Sequence, residues 1–275
     1  MYEDTKKLVG LVEDAAAIIE KKGTAAFPIF AVKGSKWFKN EDYLFVYNID
    51  GVCLFHPLNP ELVGKNIINM EDINGEYPIK HITNVGKKPE KDAGGWVFYH
   101  WEEGAQLDPN WKASYIRKVI TPDNRILLVG SGTSRIKIEK LFIKNNVDLA
   151  VDYLKDNGRE KAFAEFRKRD SVFNFFDVYI IVFDTSGHAL VDPAYPTISG
   201  RDMMGFKDAV GRNVIAEVMS EMKVKDEKWV SFLWPKRGEI LPSRKLAYCR
   251  KVHVSGETFV VFSDFFLATP IWMRG

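Results

Sequence analysis

The most constraining feature of the sequence is a stretch that occurs twice. Residues 43–64 hold two apolar, β-prone segments, a turn that ends at Gly51, and a proline-rich exit. The same order returns 136 positions later, in residues 179–200. A second set of residues then repeats at a shift of 133, so that Trp101 reappears as Trp234. Turn glycines, prolines and tryptophans repeated in one order predict a duplicated domain.

The length of 275 residues suits two domains of ordinary size, and we place them at 1–134 and 135–275. Each half shows a long amphipathic helix first, at residues 8–19 and at 136–157. Two strands, a loop with a short helix, and three further strands follow. Gly158 is expected to end the second long helix. Meandering strands with helices on one face predict an α+β fold around an antiparallel sheet.

Composition excludes several classes of protein. Apolar residues make up 46% and charged residues 28% of the chain, which is typical of a soluble globular protein. A net charge of +2 with interspersed signs gives no nucleic-acid footprint. Cys53 and Cys249 lie in apolar runs at non-matching positions, which predicts buried free thiols. No 18-residue apolar run and no signal peptide are present, so either the protein is cytosolic or its targeting and anchoring segments lie outside this sequence.

No catalytic constellation is evident. The five histidines do not repeat between the halves, and no metal-ligand spacing occurs, so we expect no metal and no cofactor. The run 130–133, Gly-Ser-Gly-Thr, lacks the lysine of a phosphate loop and is interpreted as the end of a strand. Without a nucleophile elbow or a paired acid and base, the sequence predicts a protein that is not an enzyme.

Aromatic and polar residues on consecutive strands form the main candidate site. Alternation places Tyr43, Phe45 and Tyr47 on one face of their strand, and Tyr115 with Arg117 on one face of another. If these faces coincide with those of Trp101 and His56, they line an aromatic pocket that holds one cation. The alternative is that the aromatic residues are plain core. For Arg117, a surface salt bridge is an equally good interpretation.

The ordered set of motifs resembles the Cache domain, in its single-Cache, or Cache_2, form. The matching elements are Tyr-aliphatic-aromatic-Val through His56-Pro57, then Gly64-Lys65-Asn66, Gly-Gly-Trp-Val, and Ser-Tyr-x-Arg-x-Val. The likeness covers nearly the whole chain, twice. The resemblance implies two PAS-like domains, each with a five- or six-stranded antiparallel sheet, a long N-terminal helix and a ligand pocket. It also implies an extracytoplasmic sensor, as in chemoreceptors and histidine kinases, for small carboxylates or amino acids.

By resemblance, the pocket of the first half uses seven residues. They are Trp37, Phe45, Tyr47, His56, Trp101, Tyr115 and Arg117. A buried Arg117 needs an anionic partner. No facing Asp or Glu is evident, so a bound carboxylate would supply it. The second half departs from the family, with Asp192 in place of histidine and Ser263 matched to Gly130. We expect Asp192 to neutralise Arg250, so that one small carboxylate binds, in the first half only.

Two other functions stay open at this point. One is a cytosolic PAS-type interaction module without a ligand, and the other is an unrecognised soluble enzyme on a duplicated α+β fold. For the sensor, we expect a periplasmic or extracellular location, with an anchoring or export segment upstream of residue 1. The expected partner is a small carboxylate or amino-acid-like molecule, and a homodimer is an open alternative.

Overall fold

The computed structural model describes residues 1–39, 42–101, 110–135, 137–168, 171–235 and 240–267. The chain divides into two compact units, Met1–Lys137 (unit 1) and Ile138–Gly275 (unit 2). The polar connection expected at 102–110 and the predicted helix start at residue 136 fall largely outside the described residues. Among the described residues, no helix is long and apolar enough to cross a membrane.

Unit 1 begins with the long helix that the apolar stripe predicts. Helix α1, Glu3–Lys22, buries Leu8, Val12 and Ile19 on one side. Acidic residues in its first turn and basic residues in its last turn complement the helix dipole. Gly23 ends the helix at a φ of 56°, which is favourable for glycine alone. The remaining elements of unit 1 are α2 Phe27–Phe30, β1 Phe38–Lys39, β2 Asp42–Asn48, β3 Cys53–Phe55, α3 Pro78–Gly86, β4 Gly94–Trp101, β5 Asn110–Ile120 and β6 Ile126–Thr133.

The first helix of unit 2 differs from α1 because it contains a break. Helix α4, Lys140–Arg167, contains Gly158 at a φ of 75°. Gly158 therefore breaks the helix, as predicted, but a further helical segment follows it. The other elements of unit 2 are β7 Ile180–Asp184, β8 Ala189–Val191, α5 Val214–Met222, β9 Glu227–Pro235, β10 Pro242–Val254 and β11 Glu257–Phe266.

Both sheets are antiparallel, which confirms the predicted α+β class. The sheet of unit 1 has six strands in the order β1-β2-β6-β5-β4, with β3 paired to β2. The sheet of unit 2 has five, in the order β8-β7-β11-β10-β9. The run 130–133 lies within β6, so its interpretation as the end of a strand is confirmed. Cys53 and Cys249 are free and buried, also as predicted.

Strand register corrects one match between the halves. Tyr115 lies opposite Ser131, and its counterpart Tyr248 lies opposite Ser263. Ser263 therefore corresponds to Ser131, and the residue that corresponds to Gly130 is Phe262. The chain from Tyr248 to Ser263 is one residue shorter than the chain from Tyr115 to Ser131, so the shift between the halves changes from 133 to 132 at the turn between β10 and β11.

The sheet of unit 1 separates two cores, and this separation decides which residues can share a site. One core lies between the sheet and α1, and it includes Val12, Leu44 and Val129. The other lies on the opposite face, against α3, and includes Tyr47 and Ile79. We call these the helix face and the pocket face. Strand β5 alternates between them, because successive side chains of a strand point to opposite sides.

Candidate functional site

His56 lies at the centre of the pocket face of unit 1. It follows β3, which Pro57 cannot extend because proline has no N–H to donate to a ladder. Its side chain is buried and lies among aromatic rings. Ring centroids are 5.1 Å away for Tyr43, 6.4 Å for Phe45 and 6.1 Å for Trp101. The rings of Phe45 and Trp101 are close to parallel with the imidazole, so His56 stacks with both.

The surroundings of His56 keep its imidazole neutral. Burial and the nearby Lys112 charge lower the pKa of His56 to about 4. Its Nδ1 accepts a hydrogen bond of 3.0 Å from the backbone N–H of Asn59. Because Nδ1 is the acceptor, the neutral ring carries its proton on Nε2. His56 therefore has one N–H available for donation to another acceptor.

Lys112 supplies the cation of this face. It is only 1% exposed, an unusual degree of burial for a lysine. Its Nζ donates to Oη of Tyr43 at 2.7 Å and lies 4.4 Å from the centroid of the Tyr43 ring. Lys112 is not among the residues that the sequence predicts for the site. Two features of the sequence indicate it. Lys112 lies on the face of β5 opposite to Tyr115, and Lys245 repeats it three residues before Tyr248.

Further hydrogen bonds hold the walls of the pocket face. Oη of Tyr99 and Oγ of Ser114 lie 2.8 Å apart and join β4 to β5. Asp72 fastens the preceding loop to the sheet, because its Oδ2 accepts the backbone N–H of His100 at 3.0 Å. Beside Trp101, this loop and β4 border an open cavity of about 340 Å³. The pocket face thus combines a buried aromatic wall with an accessible edge.

Arg117 and Tyr115 lie on the helix face, away from His56. Nε of Arg117 donates to Oε2 of Glu13 on α1 at 3.1 Å, and the hydroxyl of Tyr115 donates to Oε1 of the same carboxylate at 2.9 Å. The expectation that no acidic side chain faces Arg117 is wrong, because Glu13 comes from a helix 104 residues earlier in the chain. These contacts join the sheet to α1.

The same clamp recurs in unit 2 and corrects a second expectation. Nη1 of Arg250 donates to Oδ1 of Asp148 on α4 at 2.8 Å. Asp192 lines the cavity on the opposite face of the sheet. The expectation that Asp192 neutralises Arg250 is therefore wrong. In each unit the arginine of the Tyr-x-Arg motif donates to a carboxylate on the long helix, whereas the hydroxyl of Tyr248 donates to Oε2 of Glu227 on β9 at 2.6 Å.

The seven predicted site residues fall into two groups. The structure brings Phe45, Tyr47, His56 and Trp101 together on the pocket face. Trp37 packs against Phe30 in the core beside α1, at 5.1 Å between ring centroids. It lies on the helix face, as Tyr115 and Arg117 do. Lys112 occupies the place on the pocket face that the sequence analysis gave to Arg117.

Unit 2 has an equivalent face with different chemistry. Lys245, the counterpart of Lys112, pairs with Asp264 at 2.7 Å, and both side chains are 5% exposed. Asp264 corresponds to Gly132 of unit 1, since each faces the next strand at the same register. Asp192, Tyr195 and Trp234 line the same cavity, which encloses about 80 Å³. In the part of the chain that the structure describes, no group of three or more possible metal ligands occurs.

A sheet with a long helix on one face and buried aromatic residues on the other defines a PAS-like class of domain. The sequence model of the dCache_2 family, described as a Cache domain, matches residues 29–255. The chain therefore belongs to the Cache domain family, a family of sensor domains, in its double form. The family match confirms the prediction of two Cache domains as a double Cache domain. It does not extend to the predicted single-Cache type of each half.

Solved structures of sensor domains are similar to parts of the chain. A Cache chemosensory domain that recognises carboxylic acids is 22% identical, covering 48% of this chain and 94% of its own length at a TM-score of 0.39. A methyl-accepting chemotaxis protein from Vibrio parahaemolyticus is 21% identical, with coverages of 48% and 88% and a TM-score of 0.37. The periplasmic sensory domain of the Campylobacter jejuni chemoreceptor Tlp1 is 11% identical, with coverages of 94% and 87% and a TM-score of 0.30.

Proposed function

We propose that this chain is the extracytoplasmic ligand-binding module of a signalling receptor, and that unit 1 binds one small carboxylate. The observation that carries the proposal is the buried Lys112 ammonium beside the neutral His56 imidazole, within aromatic walls. Membership of the Cache family supports a sensor that catalyses no reaction. An anchoring segment upstream of residue 1, and a signalling domain beyond this chain, belong to the same proposal.

A carboxylate fits the donors of the pocket face. Nζ of Lys112 and the Nε2–H of His56 would donate to its oxygens, and hydrogen bonds from a charged donor to a carboxylate are about twice as strong as neutral ones. Tyr43 links these two donors, since its hydroxyl contacts Lys112 and its ring packs on His56. Phe45, Tyr47 and Trp101 would enclose a short apolar tail.

Unit 2 does not offer the same site to an anion. The ammonium of Lys245 is neutralised by Asp264, and Asp192 replaces His56. A carboxylate in this cavity would face two buried carboxylates. One carboxylate therefore binds per chain, in the first half as the sequence predicts, and Lys112 rather than Arg117 is its charge partner.

Calorimetric titration of the full chain with two- to four-carbon mono- and dicarboxylates tests the proposal. For the acid that binds wild type most tightly, we expect Lys112→Met to raise the dissociation constant at least about tenfold, which corresponds to about 1.4 kcal/mol. Lys118→Met is a matched control, because Lys118 lies on the same face of β5 and bonds to the carbonyl oxygen of Lys88. Arg117→Ala should change the dissociation constant less than about twofold, given its contact with Glu13.

Two results would contradict the assignment. The first is equal affinity in wild type and Lys112→Met. The second is loss of binding in Arg117→Ala while Lys112→Met still binds. Thermal shifts provide a second readout, since a ligand at a hundredfold excess over its dissociation constant stabilises the folded state by about 2.7 kcal/mol.

A further inference from the structure

The cavity of unit 2 has more acidic than basic side chains among its described lining residues. Lys245 and Asp264 form a buried ion pair that cancels their charges. Asp192 is 5% exposed and adds a further carboxylate to the same cavity. Asp208, also in the lining, is fully engaged by the backbone N–H groups of Val210, Arg212 and Leu233. Counted over the lining residues that the structure describes, negative charge exceeds positive charge.

One carboxylate oxygen of Asp192 can accept a further hydrogen bond. Its Oδ1 accepts the backbone N–H groups of Ala194 and Tyr195, at 3.0 and 2.8 Å, just after β8. Among the described residues, its Oδ2 has no hydrogen-bond partner. Burial raises the pKa of Asp192 and Asp264 adds to this effect, although the backbone N–H groups of Tyr195 and Ala194 and the charge of Lys245 act in the opposite direction. Burying an ionised carboxylate costs free energy, and a group that brings a positive charge and a hydrogen-bond donor to Oδ2 would offset this cost.

The walls of the cavity suit a cation with an apolar tail. Trp234 is surrounded by three aromatic rings, with centroids at 6.1 Å for Tyr195, 5.1 Å for Phe206 and 6.4 Å for Phe232. Aromatic faces attract cations, and they attract them more strongly in sites that exclude water. The cavity volume of about 80 Å³ holds several water-sized groups, at about 10–15 Å³ for each. A molecule of four to six heavy atoms matches this space.

We propose that unit 2 is a second binding site, which takes a small monovalent ammonium compound. The ammonium head donates to Oδ2 of Asp192, and the alkyl tail lies against Trp234 and Phe232. The Lys245–Asp264 pair stays intact and forms a polar floor. The double Cache chain would therefore carry two sites of opposite ligand charge, an anion site in unit 1 and a cation site in unit 2.

Matched ligands and matched variants test the second site on the full chain. Titration with n-butylammonium and n-butanol separates charge from shape, because the two molecules share one butyl tail. We expect n-butylammonium to bind at least about tenfold more tightly than n-butanol. Asp192→Asn keeps the Oδ1 that caps the turn and removes the charge, so it should abolish this preference. Trp234→Leu, which leaves Asp192 in place, should also weaken the binding of n-butylammonium.

The outcomes separate this proposal from that for unit 1. Lys112→Met should leave n-butylammonium binding unchanged, and Asp192→Asn should leave carboxylate binding in unit 1 unchanged. The cation site is refuted if n-butanol binds as well as n-butylammonium, if Asp192→Asn and Trp234→Leu both bind the ammonium like wild type, or if the ammonium does not bind at all. None of these results affects the test of Lys112, which depends on carboxylates alone.

Discussion

The ring of Phe45 occupies the space that a β-carbon on Gly130 would need. The two residues are direct cross-strand partners on β2 and β6. A β-carbon built on Gly130 would lie 2.6 Å from two ring atoms of Phe45 and 2.6 Å from Cδ1 of Ile116. In unit 2 the partners are Ile181 and Phe262, so the aromatic ring has moved to the other strand. The two units fill the floor of their pockets in opposite ways.

This exchange predicts a specific rescue. Gly130→Ala should destabilise unit 1 by about 1–3 kcal/mol, because the added methyl group overpacks the pocket floor. Phe45→Ile in the same chain should recover part of this loss by returning the space. A double-mutant cycle from urea unfolding measures the coupling. Gly10→Ala is the control, since a β-carbon there meets nothing within 4 Å. Strictly additive effects of the two substitutions would contradict the proposed steric conflict.

The buried ion pair of unit 2 predicts an asymmetric response to mutation. Lys245→Met leaves Asp264 buried without its cation and should cost about 3–5 kcal/mol of unfolding free energy. Replacing both partners, with Lys245→Met and Asp264→Leu together, should recover most of that loss, since the desolvated charge is gone. Urea unfolding of both variants gives the comparison. If the double variant is no more stable than Lys245→Met alone, the ion pair is not the cause of the loss.

The clamp between α1 and β5 predicts a structural role for Arg117. Arg117→Ala should lower the free energy of unfolding by about 1–2 kcal/mol, because it removes hydrogen bonds to Glu13 and to the backbone of Lys118. The coupling to Glu13→Gln should be about 0.5–1 kcal/mol, since Glu13 is partly exposed. Arg250→Ala is the matched variant in unit 2. A loss of stability confined to one of the two units would argue against a shared clamp.

The neutral state of His56 predicts a dependence of stability on pH. Its folded pKa of about 4 lies below the unfolded value near 6.5, so the unfolded chain binds more protons between these values. Stability from this residue is complete above about pH 6.5 and is lost as the pH falls toward 4, at up to about 1.4 kcal/mol per pH unit. His56→Gln should flatten this part of the profile. An unchanged slope in His56→Gln would assign the effect to other groups.

Periodicity in the sequence determined much of the fold. The stripe of Leu8, Val12 and Ile19 predicts α1, and the hairpin repeated as residues 43–64 and 179–200 predicts the two sheets. Alternation along β5 also placed Tyr115 with Arg117 correctly, because a period of two fixes which side chains share a face. These features depend on residues that are close in sequence.

Only the tertiary structure decided which face of β5 meets α1 and which meets the ligand cavity. Alternation separates Arg117 from Lys112 but does not say which of them faces the pocket. Packing of α1 on the sheet settles this, since it brings Glu13 to Arg117 across 104 positions and leaves Lys112 beside Tyr43 and His56. Register decided the counterpart of Gly130 in the same way. The chain from Tyr248 to Ser263 is one residue shorter than that from Tyr115 to Ser131, which moves the match to Phe262 while each strand keeps its own pattern.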